Sequence, residues 1–273
     1  MKPFDEALMP AGVHVAQVSA WRAGQWQTHP DWLAEEVPVA LVFNGISHAV
    51  MLASPDHLED FALGFSLSEG LLQDPGELYG IDIQTSERGI ELHLEVAAAC
   101  EWRLKQRRRT MAGRTGCGLC GTESLDQVQR TLARAPETHV AAEVVGQALQ
   151  SLRQWQAVQQ LTGASHAAAW CAPDGRIVLV REDIGRHNAL DKLIGAMARE
   201  RIDTTQGWVC LTSRASFEMV QKTLAAGAGL LAAVSAPTAL AVSLAERSGL
   251  ALAGFVRGKD FVAYTYPQRF GLP

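Results

Sequence analysis

The feature that most constrains this chain is a pattern repeated from Thr162 onward: a short apolar run, a polar turn, then apolar residues at helical spacing. "RIVLV" is followed by "REDIGRHN" and a segment with Leu190, Leu193, Ile194 and Met197 on one face. "GWVCLT" leads through "SRAS" into "FEMVQKTLAAGAG", and "LLAAV" leads through "SAPT" into "ALAVSLAERSG". "LALAGFV" closes the series through "RGKD" with a last strand, "FVAYT". Apolar runs without polar alternation are strands buried on both faces, so the alternation predicts a mostly parallel sheet covered by helices, an α/β domain.

Such a sheet has a defined ligand edge. Ligands sit outside the carboxyl ends of the strands, where helix N-termini present unpaired N–H groups and a positive dipole. The polar turns on that edge hold Glu182, Asp183, Arg186, His187 and Asn188, then Ser213, Arg214 and Ser216, then Ser235 and Thr238, and finally Arg257 and Lys259. Three arginines and a lysine beside hydroxyls and helix starts suit a phosphate-bearing ligand. The competing reading makes the same residues helix caps and solvated charges. His187 could serve as a base, but no second histidine follows at helical spacing to make a local metal site. Neither the G-x-x-x-x-G-K-[ST] loop nor a G-x-G-x-x-G after a strand is present, so the usual nucleotide cradles are missing.

Upstream the pattern differs. Asn44-Gly45 between two apolar runs in 37–52 predicts a hairpin. "HLEDFALGFSLSEGLL" then has Leu58, Phe61, Ala62, Phe65 and Leu72 near helical spacing, with Glu59, Asp60 and Glu69 expected outward. Alternation on both sides of "SERG" predicts a second hairpin. The expected division is an N-terminal arm over 1–30, a small hairpin-helix-hairpin domain over 31–100, a flexible linker over 101–124 and the α/β domain over 125–273, α+β overall. The last begins at "SLDQ", a capping box that starts a helix near Leu125 and a helical region running towards Leu161.

A net charge of −5 over 273 residues argues against a general nucleic-acid surface, so any basic site is local. The N-terminus carries acidic residues and proline where a secretory signal needs an apolar run. The uncharged stretch Leu224 to Ala245 is about as long as a spanning helix, but it is built of Ala, Gly and Ser and broken by "SAPT", so no membrane span is expected.

Of five cysteines, Cys100, Cys171 and Cys210 stand alone in apolar surroundings and are expected in the core, in a reducing compartment. Cys117 and Cys120 form a C-x-x-C in the linker, "GRTGCGLCGT". A structural zinc needs four ligands and this pair supplies two. A thioredoxin-type pair opens a helix straight after a strand, whereas this one lies among glycines. A reactive thiolate is the third reading: Arg107, Arg108, Arg109 and Arg114 favour the ionised sulfur, and such a thiolate can carry sulfur as a persulfide.

"TGCGLCG", "TGASHAAA", "REDIGRHNALDKLIG", "SRASFEMVQK", "SAPTALAV", "GLALAGFVRG" and "YTYPQR", in this order, resemble the formate dehydrogenase accessory sulfur-carrier family, FdhD. The resemblance extends upstream through "EEVPVALVFNGISHAVML" and covers roughly residues 35 to 270, leaving the first 30 outside it. It implies a cytoplasmic, homodimeric sulfurtransferase that takes sulfur from a cysteine desulfurase. The sulfur passes to bis-molybdopterin guanine dinucleotide, the molybdenum cofactor, before insertion into the formate dehydrogenase catalytic subunit. It implies that Cys117 is the persulfide carrier, with Cys120 matching the second cysteine, and that Phe255, Val256, Arg257, Gly258, Lys259 and Asp260 form the cofactor-binding segment, joining Arg186, His187, Ser213, Arg214 and Thr238 at the sheet edge. It also implies a cytidine-deaminase-like sandwich for the C-terminal domain. The deaminase zinc signature is missing, since His166 is followed by "AAA", so no permanently bound metal is expected. Two other readings stay open: a chaperone that binds the cofactor without using the cysteines, and a thiol oxidoreductase working through a Cys117–Cys120 disulfide.

Overall fold

The computed structural model describes residues 10–109 and 132–272. The linker from 110 to 124, with Cys117, Cys120 and Arg114, and the expected helix start near Leu125 lie outside the described residues.

The first described element departs from the expected arm: β1 (Val13–Arg22) and β2 (Gln25–Ala34) form an antiparallel hairpin. Its turn lies at Ala23-Gly24, both at positive φ. The alternation in β1 was the available signal, but Pro30 inside β2 works against a strand reading. Proline is tolerated on a ribbon whose edge has no further partner.

The expected hairpins follow. β3 (Val37–Phe43) and β4 (Ile46–Ala53) turn at Asn44 and Gly45, with φ of 45° and 78°, as a two-residue primed turn demands. β5 (Leu78–Ser86) and β6 (Gly89–Val96) form the second pair. The four strands make one sheet in the order β4-β3-β6-β5, with β3 and β6 parallel. Helix α1 (Leu58–Ser68) packs Phe61, Ala62 and Phe65 on that sheet with Val39, Leu41, Leu92 and Leu94. The region from 101 is not wholly linker: α2 (Ala98–Arg109) seats Cys100 and Leu104 in the same core.

From 132 to 141 there is no regular structure, against the expected continuous helical region, which resumes as α3 (Ala142–Leu152) and α4 (Ala157–Thr162). The main sheet then forms from β7 (His166–Cys171), β8 (Ile177–Asp183), β9 (Trp208–Leu211), β10 (Leu230–Ala233), β11 (Ala251–Arg257) and β12 (Asp260–Thr265), in the order β12-β11-β10-β9-β7-β8. Helices α5 (Arg186–Arg199), α6 (Phe217–Ala225) and α7 (Ala239–Ser248) cover one face and α3 the other. Every residue of β9 and β10 is buried, as expected of strands covered on both faces.

The sheet is mixed rather than mostly parallel. Only β9–β10 and β10–β11 are parallel pairs; β7 pairs antiparallel with both β8 and β9, and β12 pairs antiparallel with β11. Strand β7 sits between two others and reverses direction on each side, so β8 and β9 still run the same way. The carboxyl ends of β8, β9, β10 and β11 therefore share one edge.

The two sheets meet through α1 and α5. A Cβ on Gly64 would lie 1.7 Å from the Asp191 carbonyl oxygen, and one on Gly195 would lie 1.9 Å from that of Asp60, so the helices cross backbone against backbone. Asp60 is not outward as its spacing suggested: it is 2% exposed and accepts from Arg181 Nε and Arg199 Nη1, each at 2.8 Å. Two buried lysines complete the seam, Lys192 on Asp183 at 2.8 Å and Lys222 on Asp191 at 2.8 and 2.9 Å.

Candidate functional site

Four loops meet at the shared carboxyl edge, and backbone bonds lace them together. Val234 N–H donates to Leu211 O, Ser235 N–H to Ser213 O, Thr238 N–H to Ala215 O and Phe255 N–H to Ser235 O. The loop after β10 thus lies across both neighbours, bridging at Ala215 and Pro237. Gly254 permits this crossing, since a Cβ there would stand 2.9 Å from Pro237 Cδ and 3.1 Å from Ser235 O.

Several polar residues expected on this edge are consumed by the architecture. Glu182 accepts from Val158 N, Gln159 N and Ser165 Oγ, capping the start of α4. Asp183, fully buried, accepts from Ser54 N, Gly185 N and Asn188 Nδ2 besides Lys192. Thr238 accepts from Ala241 N at 3.3 Å as the N-cap of α7, and Ser213 Oγ donates to Arg214 O at 3.1 Å. For these residues the capping reading describes what the side chains do.

Other groups are left open. Arg186 Nε and Ser216 Oγ are buried atoms without a hydrogen-bond partner, on the loops after β8 and β9. Ser216 is the N-cap of α6 yet makes no side-chain cap bond. Buried donors without partners are rare in folded proteins and call for an explanation, of which a bound ligand is one. Between these loops His187 Nδ1 lies 2.9 Å from Glu218 Oε2, which sits in the first turn of α6. His166, at the start of β7, comes to the same place because its strand is reversed. Burial lowers its imidazole below the ordinary histidine value, and Arg186 and His187 lower it further against the opposing pull of Asp183.

His166 and Glu218 carry no signal of this placement in the sequence. The sequence does not mark β7 as a separate strand, and there His166 bears only on the missing deaminase signature. Glu218 lies inside a helix, and only its reach back to His187 marks it. Ser216 falls among the edge residues by sequence, which carries no sign that its hydroxyl is left unpaired.

The segment Phe255 to Asp260 is the end of β11 and the turn into β12, as the strand-turn-strand pattern predicts, with Arg257 opposite Asp260. Phe255 is exposed and holds φ of 52°, an uncommon conformation for an aromatic residue. Val256 departs from the expectation: it is 3% exposed and packs in the core on the α3 face, because alternation along β11 turns it inward. Gly258 forms the turn with φ of 60°, and its carbonyl rests on α3, where a Cβ on Gly146 would be 1.9 Å away. Arg257, Lys259 and Asp260 are exposed. The loop after β8 and the turn after β11 are four strand spacings apart, roughly 19 Å. Arg186 and Arg257 therefore stand as two separate cationic positions on one edge, with Arg214 exposed on the loop after β9.

Cys100, Cys171 and Cys210 are buried, and burial, followed by a hydrogen bond to Cys171, pushes the Cys210 thiol well up, away from reactivity. Cys117 and Cys120 lie outside the described residues. No group of three or more His, Cys, Asp or Glu able to hold a metal occurs among the described residues, and none of their helices is long and apolar enough to cross a membrane.

The FdhD/NarQ family model matches residues 34–271. A relative from Variovorax paradoxus named "Sulfur carrier protein FdhD" is 56% identical over 275 residues, covering 100% of this chain and 99% of the relative. One of the same name from Cupriavidus necator is 59% identical over 253 residues, covering 92% and 88%. The crystal structure of a chain described as a formate dehydrogenase accessory protein, from Desulfotalea psychrophila, aligns with a TM-score of 0.75 at 20% identity, covering 94% of this chain and 98% of that one, a likeness of fold.

Proposed function

Because the chain belongs to the FdhD/NarQ family, we propose that it is a sulfur carrier serving the maturation of formate dehydrogenase. The observation that carries this reading is the match over residues 34–271 together with 56% identity, along the whole chain, to a relative named a sulfur carrier. In this proposal the Cys117 thiolate attacks the outer sulfur of a cysteine desulfurase persulfide. A new S–S bond forms at Cys117, the donor's S–S bond breaks, and its electron pair leaves on the donor thiolate. The outer sulfur is then handed to a guanine-dinucleotide molybdenum cofactor, held as substrate at the carboxyl edge before insertion into the formate dehydrogenase catalytic subunit. The Cys117 S–S bond breaks with its electron pair left on the Cys117 thiolate, and the reduced metal of the substrate supplies the pair for the new bond to sulfur. Cys120, a homodimer, a cytoplasmic location and a deaminase-like C-terminal fold belong to the same proposal.

The edge fits such a ligand on its own chemistry. The unpartnered Arg186 Nε and Ser216 Oγ are donors suited to a phosphate oxygen, and a helix N-terminus lies directly behind Ser216. Arg257 and Lys259, roughly 19 Å along the edge, fit a second anionic group of an extended molecule better than a second contact on one phosphate. His187 stands next to Arg186 at the start of α5, and Phe255 offers an exposed ring for stacking. Val256, being core, and Thr238, occupied as a cap, are left out of the grip.

The test is intact-protein mass spectrometry after incubation with a cysteine desulfurase and cysteine. Wild type should gain one sulfur atom that reductant removes, and Cys117→Ala should gain none. A wild type that gains no sulfur while still binding guanosine 5′-diphosphate, the nucleotide half of such a cofactor, would favour the cofactor chaperone instead.

A further inference from the structure

The turn that presents Arg186 and His187 is not built by its own sheet alone. It is held at several points by one short segment of the other half of the molecule, Leu52 to Asp56, where β4 ends. Ser54 uses all three of its polar groups there. Its N–H donates to Asp183 Oδ2 at 3.0 Å, its hydroxyl accepts from Ile184 N–H at 3.2 Å, and its carbonyl accepts from Lys192 Nζ at 3.1 Å. Asn188 Nδ2 donates to Leu52 O at 2.8 Å, and Lys192 Nζ reaches Asp56 Oδ1 at 2.9 Å. Ser54 is 2% exposed, so these bonds form where water does not compete.

These contacts differ from the rest of the seam. The Gly64–Gly195 crossing lies further along α5 and already holds the halves together, as do the bonds of Lys222 to Ser68 and Glu69. Ser54 binds Asp183 and Ile184, the two residues ahead of the N-cap of α5, and Asn188 and Lys192 are taken in the helix's first two turns. Gly185, the N-cap of α5, has no side chain to close the helix start, so Asp183 and Ser54 cover the N–H groups of Gly185 and Ile184 from outside. Arg186 Nε itself has no hydrogen-bond partner.

We propose that Ser54 is a positioning residue for the ligand edge: through Asp183 and Ile184 it fixes the turn that aims Arg186 and His187, so that the N-terminal half completes a site whose side chains lie in the C-terminal half. The proposal rests on the reading of that edge as a phosphate-binding one. A grip fixed before the ligand arrives loses less on binding than one that must be ordered by it. Loss of the Ser54 hydroxyl therefore weakens the phosphate contact at Arg186 and leaves contacts to the nucleoside alone.

The experiment is a double-mutant cycle, titrating guanosine 5′-diphosphate and guanosine separately into wild type, Ser54→Ala, Arg186→Ala and the double variant, with thermal unfolding recorded for each. Ser54→Ala should weaken diphosphate binding about fivefold, the worth of about one hydrogen bond, leave guanosine binding unchanged, and add almost nothing in the Arg186→Ala background. Equal weakening with and without Arg186, or none, overturns the positioning role even if the unfolding temperature falls. A wild type that does not bind the diphosphate, or an Arg186→Ala variant that binds it as well, overturns the phosphate reading and this role with it. Asp56→Asn, which weakens the hold of the same segment on Lys192, the buried partner of Asp183, carries the cycle if Ser54→Ala does not fold.

Discussion

Along the seam between the two sheets every buried charge is closed off by partners, whereas along the carboxyl edge buried donors are left open. Asp60 is shared by two arginines, Lys192 by Asp183 and Asp56, and Lys222 by Asp191, Ser68 and Glu69. At the edge Arg186 Nε and Ser216 Oγ have no partner, though the side chains are of the same kinds. A charge buried within a protein is tolerated when geometry satisfies it and is costly when it is not. Unpaired donors in a binding site are different: the cost stands only until the ligand supplies the acceptors. In the proposed function, the difference separates polar residues that fix one arrangement of the chain from those that receive a second molecule.

That contrast breaks most sharply at Lys222. Burial pushes the Asp191 carboxyl up and also pulls on the ammonium, but Asp191 and Glu69 hold the Lys222 amine above its ordinary value, and with contacts of 2.8 and 2.9 Å the pair is ionised. Lys222→Met leaves Asp191 fully buried with Ser68 as its remaining partner, a loss of about 3–5 kcal/mol. The double variant with Asp191→Leu should recover much of that loss in urea unfolding, because an apolar pair of similar volume avoids the stranded charge. Arg186→Ala, measured alongside, should leave the urea midpoint nearly unchanged, since that side chain's Nε has nothing to lose in the free protein. A comparable loss at both positions would erase the distinction.

A pair of glycines sharpens the comparison with a smaller effect. Gly195→Ala drives a methyl into the Asp60 carbonyl, where backbone faces backbone and neither helix can yield alone, and about 1–3 kcal/mol or more is lost. Gly258→Ala at the edge meets no atom within 4 Å and pays only for a left-handed turn, about 1 kcal/mol. Thermal unfolding of the two variants checks the order.

The same contrast explains what could be read from the sequence. The edge was legible because it follows from strand direction and turn composition: "REDIGRHN", "SRAS", "SAPT" and "RGKD" each end a strand of common direction, even though β7 makes the sheet mixed. The hairpins were legible from Asn44-Gly45 and from alternation around "SERG". The seam was not, because it pairs residues far apart in sequence. Asp60 has the spacing of a solvated residue on α1 and is buried only because Arg181 and Arg199 arrive from the other half. Glu182, Asp183 and Asn188 read as ligand groups for the same reason: nothing local says that Ser54 and the start of α4 would claim them. His166 needed the reversal of β7, a fact of sheet order that one strand's sequence does not carry.

Two histidines, one on each side of the comparison, give the finest test. Burial lowers the His57 imidazole on the seam, with Arg181 and Lys192 adding to it and Asp56 and Asp60 opposing. Burial lowers His166 on the edge, with Arg186 and His187 adding and Asp183 opposing. A histidine whose folded value lies below its unfolded one, near 6.5, favours folding above that value, and the contribution is lost as pH falls through the unfolded value towards the folded one. Wild type should therefore lose stability on acidification more steeply than either His57→Gln or His166→Gln. A diphosphate bound beside Arg186 offsets the positive charge that opposes protonation of His166 but does nothing at His57. With saturating guanosine 5′-diphosphate the wild-type slope should approach that of His166→Gln, while the difference from His57→Gln persists. If the ligand leaves both differences as they were, the negative charge does not lie between Arg186 and His166, and the edge binds its ligand elsewhere along the 19 Å or so between β8 and β11.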